Sequence, residues 1–217
     1  HGAPADHGMQ SIEIEGLTWV NSSRDGDRVA VGTIEGVVVY DGRSGSLLGR
    51  IDGSDRRGAY ITVAGQLFVG TNGGELTLHD LDTLEPVRAF PGSRGFIREV
   101  ESTTDGSTIA VLGGDRVVNL YDVGTGVQLG SPLTIPDDEI NEMAFSLDGD
   151  TLAYGGGIDR PLRIIDLDTD HWAAAACRLA GRNLTEEEWA TNVGDLAPYR
   201  SPCPALPAGT SSRGGTP

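Results

Sequence analysis

Lysine is missing altogether: all 16 basic residues of the 217-residue chain are arginine. A phosphate-cradling loop of the G-x-x-x-x-G-K-[ST] kind therefore cannot be present. Cysteine is nearly as scarce. Cys177 and Cys203 are too few for a disulfide scaffold and wrongly spaced for a zinc knuckle. Two readings of the pair stay open: two reduced, partly buried side chains, or a disulfide tying the tail to a helix, which requires an oxidising compartment. No apolar run approaches the roughly 18–20 residues of a membrane-spanning helix. H-E-x-x-H, C-x-x-C and G-x-S-x-G are absent, which removes the commonest zinc-protease, redox and serine-hydrolase signatures. Positive charge is also short: 32 acidic residues leave a net charge of −16. Such a surface repels phosphate backbones and anionic lipid, so the expected partners are proteins or peptides, with no nucleic acid and no membrane. The start at His1, with no secretory pattern, reads as an excerpt of a longer protein, with Met9 as a candidate start.

Glycine, by contrast, is abundant at 32 residues, which favours many tight turns between short strands. Four segments end in apolar-x-apolar-x-Asp: Val37-Val38-Val39-Tyr40-Asp41, Leu76-Thr77-Leu78-His79-Asp80, Val118-Asn119-Leu120-Tyr121-Asp122 and Leu162-Arg163-Ile164-Ile165-Asp166. The closing aspartates recur at intervals of 39, 42 and 44 residues, the period of four-stranded propeller blades. Asp25-Gly26, Asp105-Gly106 and Asp148-Gly149 keep the same phase, and Ala64-Gly65 stands in the second unit. Each unit reads as strand, turn, strand, turn, strand ending in Asp, turn, strand. An aspartate there accepts backbone N–H groups of its own turn, so Asp41, Asp80, Asp122 and Asp166 read as structural. The last unit lacks a fourth strand. Residues 10–15, with Ile12 and Ile14 alternating, are strand-like and fall where the outer strand of a preceding blade belongs.

Units 17–51, 58–90, 97–133 and 140–170 resemble WD40 repeats, with Tyr40, His79, Tyr121 and Ile165 in the usual tryptophan slot and no Gly-His pair. The expected fold is all-β: a β-propeller of about four visible blades, part of a larger ring, with a short C-terminal α-helical cap. Asp168-Thr169-Asp170 offers N-cap side chains to an Ala-rich helix at 171–180 that stops at Gly181. Thr185 and Glu188 form a capping box, with Leu184 and Trp189 as a hydrophobic staple. The expected organisation is a leader at 1–9, blades over 10–170, a helical cap at 171–200 and a disordered tail at 201–217.

The stretch Ala176-Cys177-Arg178-Leu179-Ala180-Gly181-Arg182-Asn183-Leu184-Thr185, then Glu188-Trp189, Pro198-Tyr199-Arg200 and Cys203-Pro204, resembles the motif that closes WD40 arrays in bacterial STAND-class regulators. The resemblance implies a cytoplasmic sensor or scaffold module at the C-terminus of a signalling or transcription-regulating NTPase, with no enzyme activity and no cofactor of its own. Arg56, Arg57, Arg94 and Phe96, placed in inter-blade loops, are the candidate contact residues, because arginine and aromatics anchor interfaces. The alternative is a metal-dependent, lactonase-like propeller hydrolase using Glu99 and Glu142, which occupy equivalent first-strand positions. The first unit has Trp19 at that position, and no Asn/Asp set completes a ligand shell. Asp166-Leu167-Asp168-Thr169-Asp170 begins like a calcium loop and then fails, with His171 at the sixth place and Cys177 at the twelfth. His79 reads as a packed or hydrogen-bonded histidine.

Overall fold

The computed structural model describes residues 11–53, 55–135, 142–156, 161–194 and 197–209, with only the backbone of Arg56 and Arg57. The chain divides into two compact units at Asp166.

In the first unit, each repeat becomes one antiparallel sheet with its strands in sequence order. The first sheet holds β1 (Leu17–Ser22), β2 (Arg28–Thr33), β3 (Gly36–Asp41) and β4 (Leu47–Asp52). The second holds β5 (Arg56–Ile61), β6 (Leu67–Thr71), β7 (Leu76–His79) and β8 (Pro86–Phe90). The third holds β9 (Ile97–Ser102), β10 (Thr108–Gly113), β11 (Val117–Asp122) and β12 (Gln128–Thr134). The fourth has three strands: β13 (Glu142–Phe145), β14 (Thr151–Gly155) and β15 (Arg163–Asp166). Residues 11–15 are not in a strand: of the two arrangements open to this strand-like segment, pairing beside the first sheet or fraying, they take the second, and Gln10 lies outside the described residues. Alternating isoleucines do not make a strand without an edge to pair with, and Ile12 stays 44% exposed.

Period-two alternation sends side chains to both faces of each middle strand. Ala30, Val37 and Val39 of the first sheet meet Ala59, Ile61, Leu67 and Val69 of the second. The intervening residues Tyr60, Phe68 and Leu76, with Phe90, then face Ile97, Val100, Ile109, Val111 and Tyr121 of the third. Adjacent sheets are thus joined through continuous apolar layers. The first strand of each sheet is also tied to the next by a side chain capping its free backbone edge. From the first sheet to the third, the Ile61 N–H donates to Asn21 Oδ1 at 3.2 Å, and Tyr60 Oη donates to the Ile97 carbonyl at 2.9 Å.

The turns explain the aspartates. Asp41 Oδ1 accepts from Ser44 N and Oγ, both at 2.7 Å. Asp80 Oδ1 accepts from Thr83 N at 2.7 Å and Oγ1 at 2.8 Å. Asp122 Oδ1 accepts from Thr125 N at 2.7 Å and Oγ1 at 2.6 Å. Asp166 Oδ1 accepts from Asp168 N at 3.0 Å. At the first hairpin of each repeat the glycine is left-handed. Gly65 (φ 76°) holds that geometry without the aspartate that precedes Gly106 (φ 71°), because backbone conformation, not the carboxylate, makes the turn.

The second unit carries α1 (Thr169–Ala180) and α2 (Glu186–Asn192). Asp168 caps α1 by accepting from Asp170 N and His171 N, and Gly181 at φ 69° ends it. Thr185 Oγ1 accepts from Glu188 N at 3.1 Å, while Glu188 Oε2 accepts from Thr185 N at 2.9 Å. Arg182 grips the same carboxylate with two bonds of 2.7 Å and, as the leading cause, holds Glu188 down to about 2. Trp189 is buried; its ring meets Tyr199 edge-on at 5.8 Å and its Nε1 donates to the Ala197 carbonyl.

Cys177 and Cys203 form a disulfide. Residues 201–209, expected to be disordered, are instead fastened. Asn183 accepts from Cys203 N at 2.9 Å and donates to the carbonyls of Cys203 and Leu206 at 2.9 and 3.0 Å. A composition-based expectation of disorder fails here because one buried asparagine and one covalent bond replace the apolar burial that the segment lacks. Residues 210–217 lie outside the described residues.

Two outcomes follow. Thr185→Ala is expected to destabilise the helical unit by about 1 kcal/mol, read as a lower urea midpoint by Trp189 fluorescence; an unchanged midpoint counts against the cap. Leu17 and Val20 in the first sheet, and Leu162 and Ile164 in the fourth repeat, stay more than half exposed, an apolar display that soluble monomers avoid. The 217-residue chain is therefore expected to self-associate, so that its sedimentation coefficient rises with concentration; a concentration-independent monomer contradicts this.

Candidate functional site

A cavity of about 580 Å³ in the first unit opens where β1, β5 and β9 begin. Trp19 and Tyr60 line it from neighbouring strands, their rings tilted and 5.8 Å apart. Phe96 and Arg98 line it from the entry to β9, and Asn72 from the turn after β6. Burial pushes the Tyr60 phenol well above its ordinary pKa, so it stays a neutral donor to Ile97 and anchors the floor. Trp19 and Phe96 are different: 41% and 51% exposed, they hold apolar ring surface against water at the mouth. Two glycines make room for these rings. A Cβ on Gly58 would lie 2.5 Å from the Tyr60 hydroxyl, and one on Gly114 would lie 2.8 Å from the Phe96 ring.

The structure brings only part of the expected contact set to this place. Phe96 is at the cavity. Arg94 is exposed in the same loop, where its backbone N–H donates to Asp115 Oδ2 at 3.3 Å and Ser93 Oγ donates to Asp115 Oδ1 at 2.9 Å; it does not line the cavity. Arg56 and Arg57 belong to strand β5 rather than to an inter-blade loop, and their side chains lie outside the described residues. Pairing with Thr71 across a register shift draws the segment into the sheet. Trp19, Tyr60 and Arg98 were missed. The available signal was Trp19 itself, a large aromatic at the position where the third and fourth repeats carry Glu99 and Glu142.

Glu99 and Glu142 lie on the first strands of the third and fourth sheets. Glu99 is pushed up to about 8, chiefly by burial, with Glu101 and Glu142 raising it further against the Met143 N–H and Arg98. Among the described residues, no three His, Cys, Asp or Glu side chains are placed to hold a metal ion. Glu99 Oε2 is buried with no hydrogen-bond partner among the described residues. His79 is buried, with Nδ1 2.9 Å from the Leu84 carbonyl. His171 Nδ1 lies 3.2 Å from Asp166 Oδ2 in the second unit.

No family model and no curated protein matches the chain. Solved structures do. A chain of a mitotic checkpoint complex superposes with a TM-score of 0.61 at 22% identity, covering 70% of this chain and 48% of its own. A chain of Kuenenia stuttgartiensis hydrazine synthase gives 0.61 at 18% identity, covering 77% and 50%. The chain thus spans about half the length of these neighbours. With its sequential sheets of three or four strands, the likeness defines the class: an all-β propeller with two short helices.

The Glu99 environment makes a pH prediction. Its folded pKa of about 8 lies above the ordinary 4.5, so the fold favours the protonated form. That contribution is complete below the ordinary value and is lost as pH rises through about 8. Glu99→Gln, which removes the ionisable group at nearly the same size, is expected to melt like the parent in acid and higher than the parent above about pH 8. Parallel melting curves across the range would show that Glu99 does not carry the shift.

Proposed function

We propose that the chain is a non-catalytic interaction module that receives an apolar or aromatic side chain of a protein or peptide partner in the Trp19–Phe96 cavity. The observation that carries this reading is the exposure of two large rings over a cavity whose floor is fixed by a buried, hydrogen-bonded tyrosine. Aromatic side chains on a rigid frame supply contact area at little entropic cost and are frequent energetic centres of interfaces. The likeness to a chain of a mitotic checkpoint complex supports a protein partner, and the net charge of −16 disfavours nucleic acid. The C-terminal resemblance supports a place at the end of a bacterial signalling or transcription-regulating NTPase in the cytoplasm. In that setting a disulfide such as Cys177–Cys203 is a transient, redox-responsive bond rather than a permanent staple.

Selection of peptides from a random display library against the full chain tests the proposal. Trp19→Ala and Phe96→Ala are each expected to weaken selected peptides by about tenfold or more, the size of an interface hot spot. Phe96→Ala should leave the melting temperature near that of the parent. Peptides whose affinity ignores both substitutions would place the interaction elsewhere.

A further inference from the structure

The second unit holds itself together by unusual means. Helix α1 buries none of its residues, and Trp172 and Leu179 are 49% and 88% exposed. What joins it to residues 201–209 is the Cys177–Cys203 bond, which spans 26 residues; Ala173 and Ala174 share the lining of an open cavity with Pro202, Ala205 and Leu206. Helix α2 is fastened differently, by the Thr185–Glu188 box, the Arg182 fork and buried Trp189. Asn183 separately grips the backbone of Cys203 and Leu206. One link, α1 to the tail, is therefore covalent and reducible, while the other, tail to α2, is polar and unaffected by thiols.

The disulfide is also reachable. Both sulfur-bearing residues line an open cavity of about 390 Å³ together with Arg178. Cys203 is 6% exposed, whereas Cys177 is more open, so an attacking thiolate meets Cys177 Sγ first. The Arg178 guanidinium on the same wall attracts an anionic sulfur.

We propose that Cys177–Cys203 is a thiol–disulfide exchange site for a dithiol reductant, and that opening it detaches α1 from the tail while α2 and its Asn183 clamp stay folded. A thiolate of the dithiol attacks Cys177 Sγ and forms a mixed disulfide. The Cys177–Cys203 bond breaks, and its electron pair leaves on Cys203 Sγ, which takes a proton from solvent. The reductant's second thiol then attacks its own sulfur in the mixed disulfide and releases Cys177, which is protonated in turn. Two electrons pass to the protein, and the dithiol becomes a disulfide.

The test uses the full chain with dithiothreitol under native conditions, followed by thiol alkylation and hydrogen exchange. Both cysteines are expected to alkylate while the sheets remain protected. Exchange over residues 169–180 should accelerate about tenfold or more, with residues 186–192 little changed. The Cys177→Ala/Cys203→Ala double variant, untreated, should show the same exchange pattern, and Arg178→Glu should slow the opening about threefold. Alkylation that occurs only on global unfolding would overturn the exchange site. Unchanged α1 exchange after reduction, or equal loss of protection in α2, would overturn the selective release of α1.

Discussion

Everything in the first unit depends on a single constraint: a sheet of three or four short strands has too little apolar surface to be stable alone and must be covered on its faces. The repeat meets this constraint with the alternation of the strand. Val37 and Val39 look one way toward Leu67 and Val69, and Phe68, between those two, looks the other way toward Ile109 and Val111. Each sheet is thereby both a covering and a thing covered. The same logic fixes where the tolerant positions are. Outer strands β4, β8 and β12 keep Leu48, Val87 and Leu129 partly in water, while β6 and β10 are nearly continuous buried runs. Edge-capping by Asn21 and Tyr60 adds direction to non-directional burial, because it ties a particular backbone group of one sheet to a particular side chain of its predecessor.

Burial decides which sheets touch; left-handed glycines make the first hairpin of each repeat, and carboxylates brace the turns with hydrogen bonds. Asp25, Asp41, Asp80, Asp122 and Asp148 are all held below the ordinary carboxylate range by hydrogen bonds from neighbouring serine, threonine and backbone donors, and Asp105 is held down to about 2. A depressed folded pKa contributes stability that is present above the unfolded value and is lost as pH falls through the folded one. These turns therefore stay ionised well into acid, and their charge belongs to hairpin geometry. A surface this acidic need not mean a cation site; much of it is what a Gly-rich, hairpin-dense chain requires of its turns.

That distinction separates what was legible in the sequence from what was not. The intervals of 39, 42 and 44 residues revealed the sheets because period and phase are one-dimensional properties, as is the box of Thr185 and Glu188 three residues apart. Arg56 and Arg57 were misread as loop because the boundary between an inter-sheet connection and the first strand is set by pairing with β6, which no local pattern announces. The cavity was invisible for a related reason. Trp19, Tyr60 and Phe96 come from three different repeats and meet only once the sheets stack. Two cysteines 26 residues apart are compatible with a bond or with none, and the choice rests on the Asn183 clamp that holds Cys203 beside α1, itself a long-range contact.

The two units therefore spend sequence in opposite ways. In the first, each apolar layer is shared among many side chains and the next repeat offers the same kind of contacts again; the second repeat keeps its hairpin at Gly65 with no aspartate before it. In the second, few side chains are buried, and Asn183, Thr185, Trp189 and Cys203 carry the packing between them. A structure built by repetition loses stability gradually, and Tyr40, His79, Tyr121 and Ile165 fill one slot of the repeat without loss of the sheet. A structure pinned at a few points has no such reserve, and a change in the chemistry of one bond is enough to alter it.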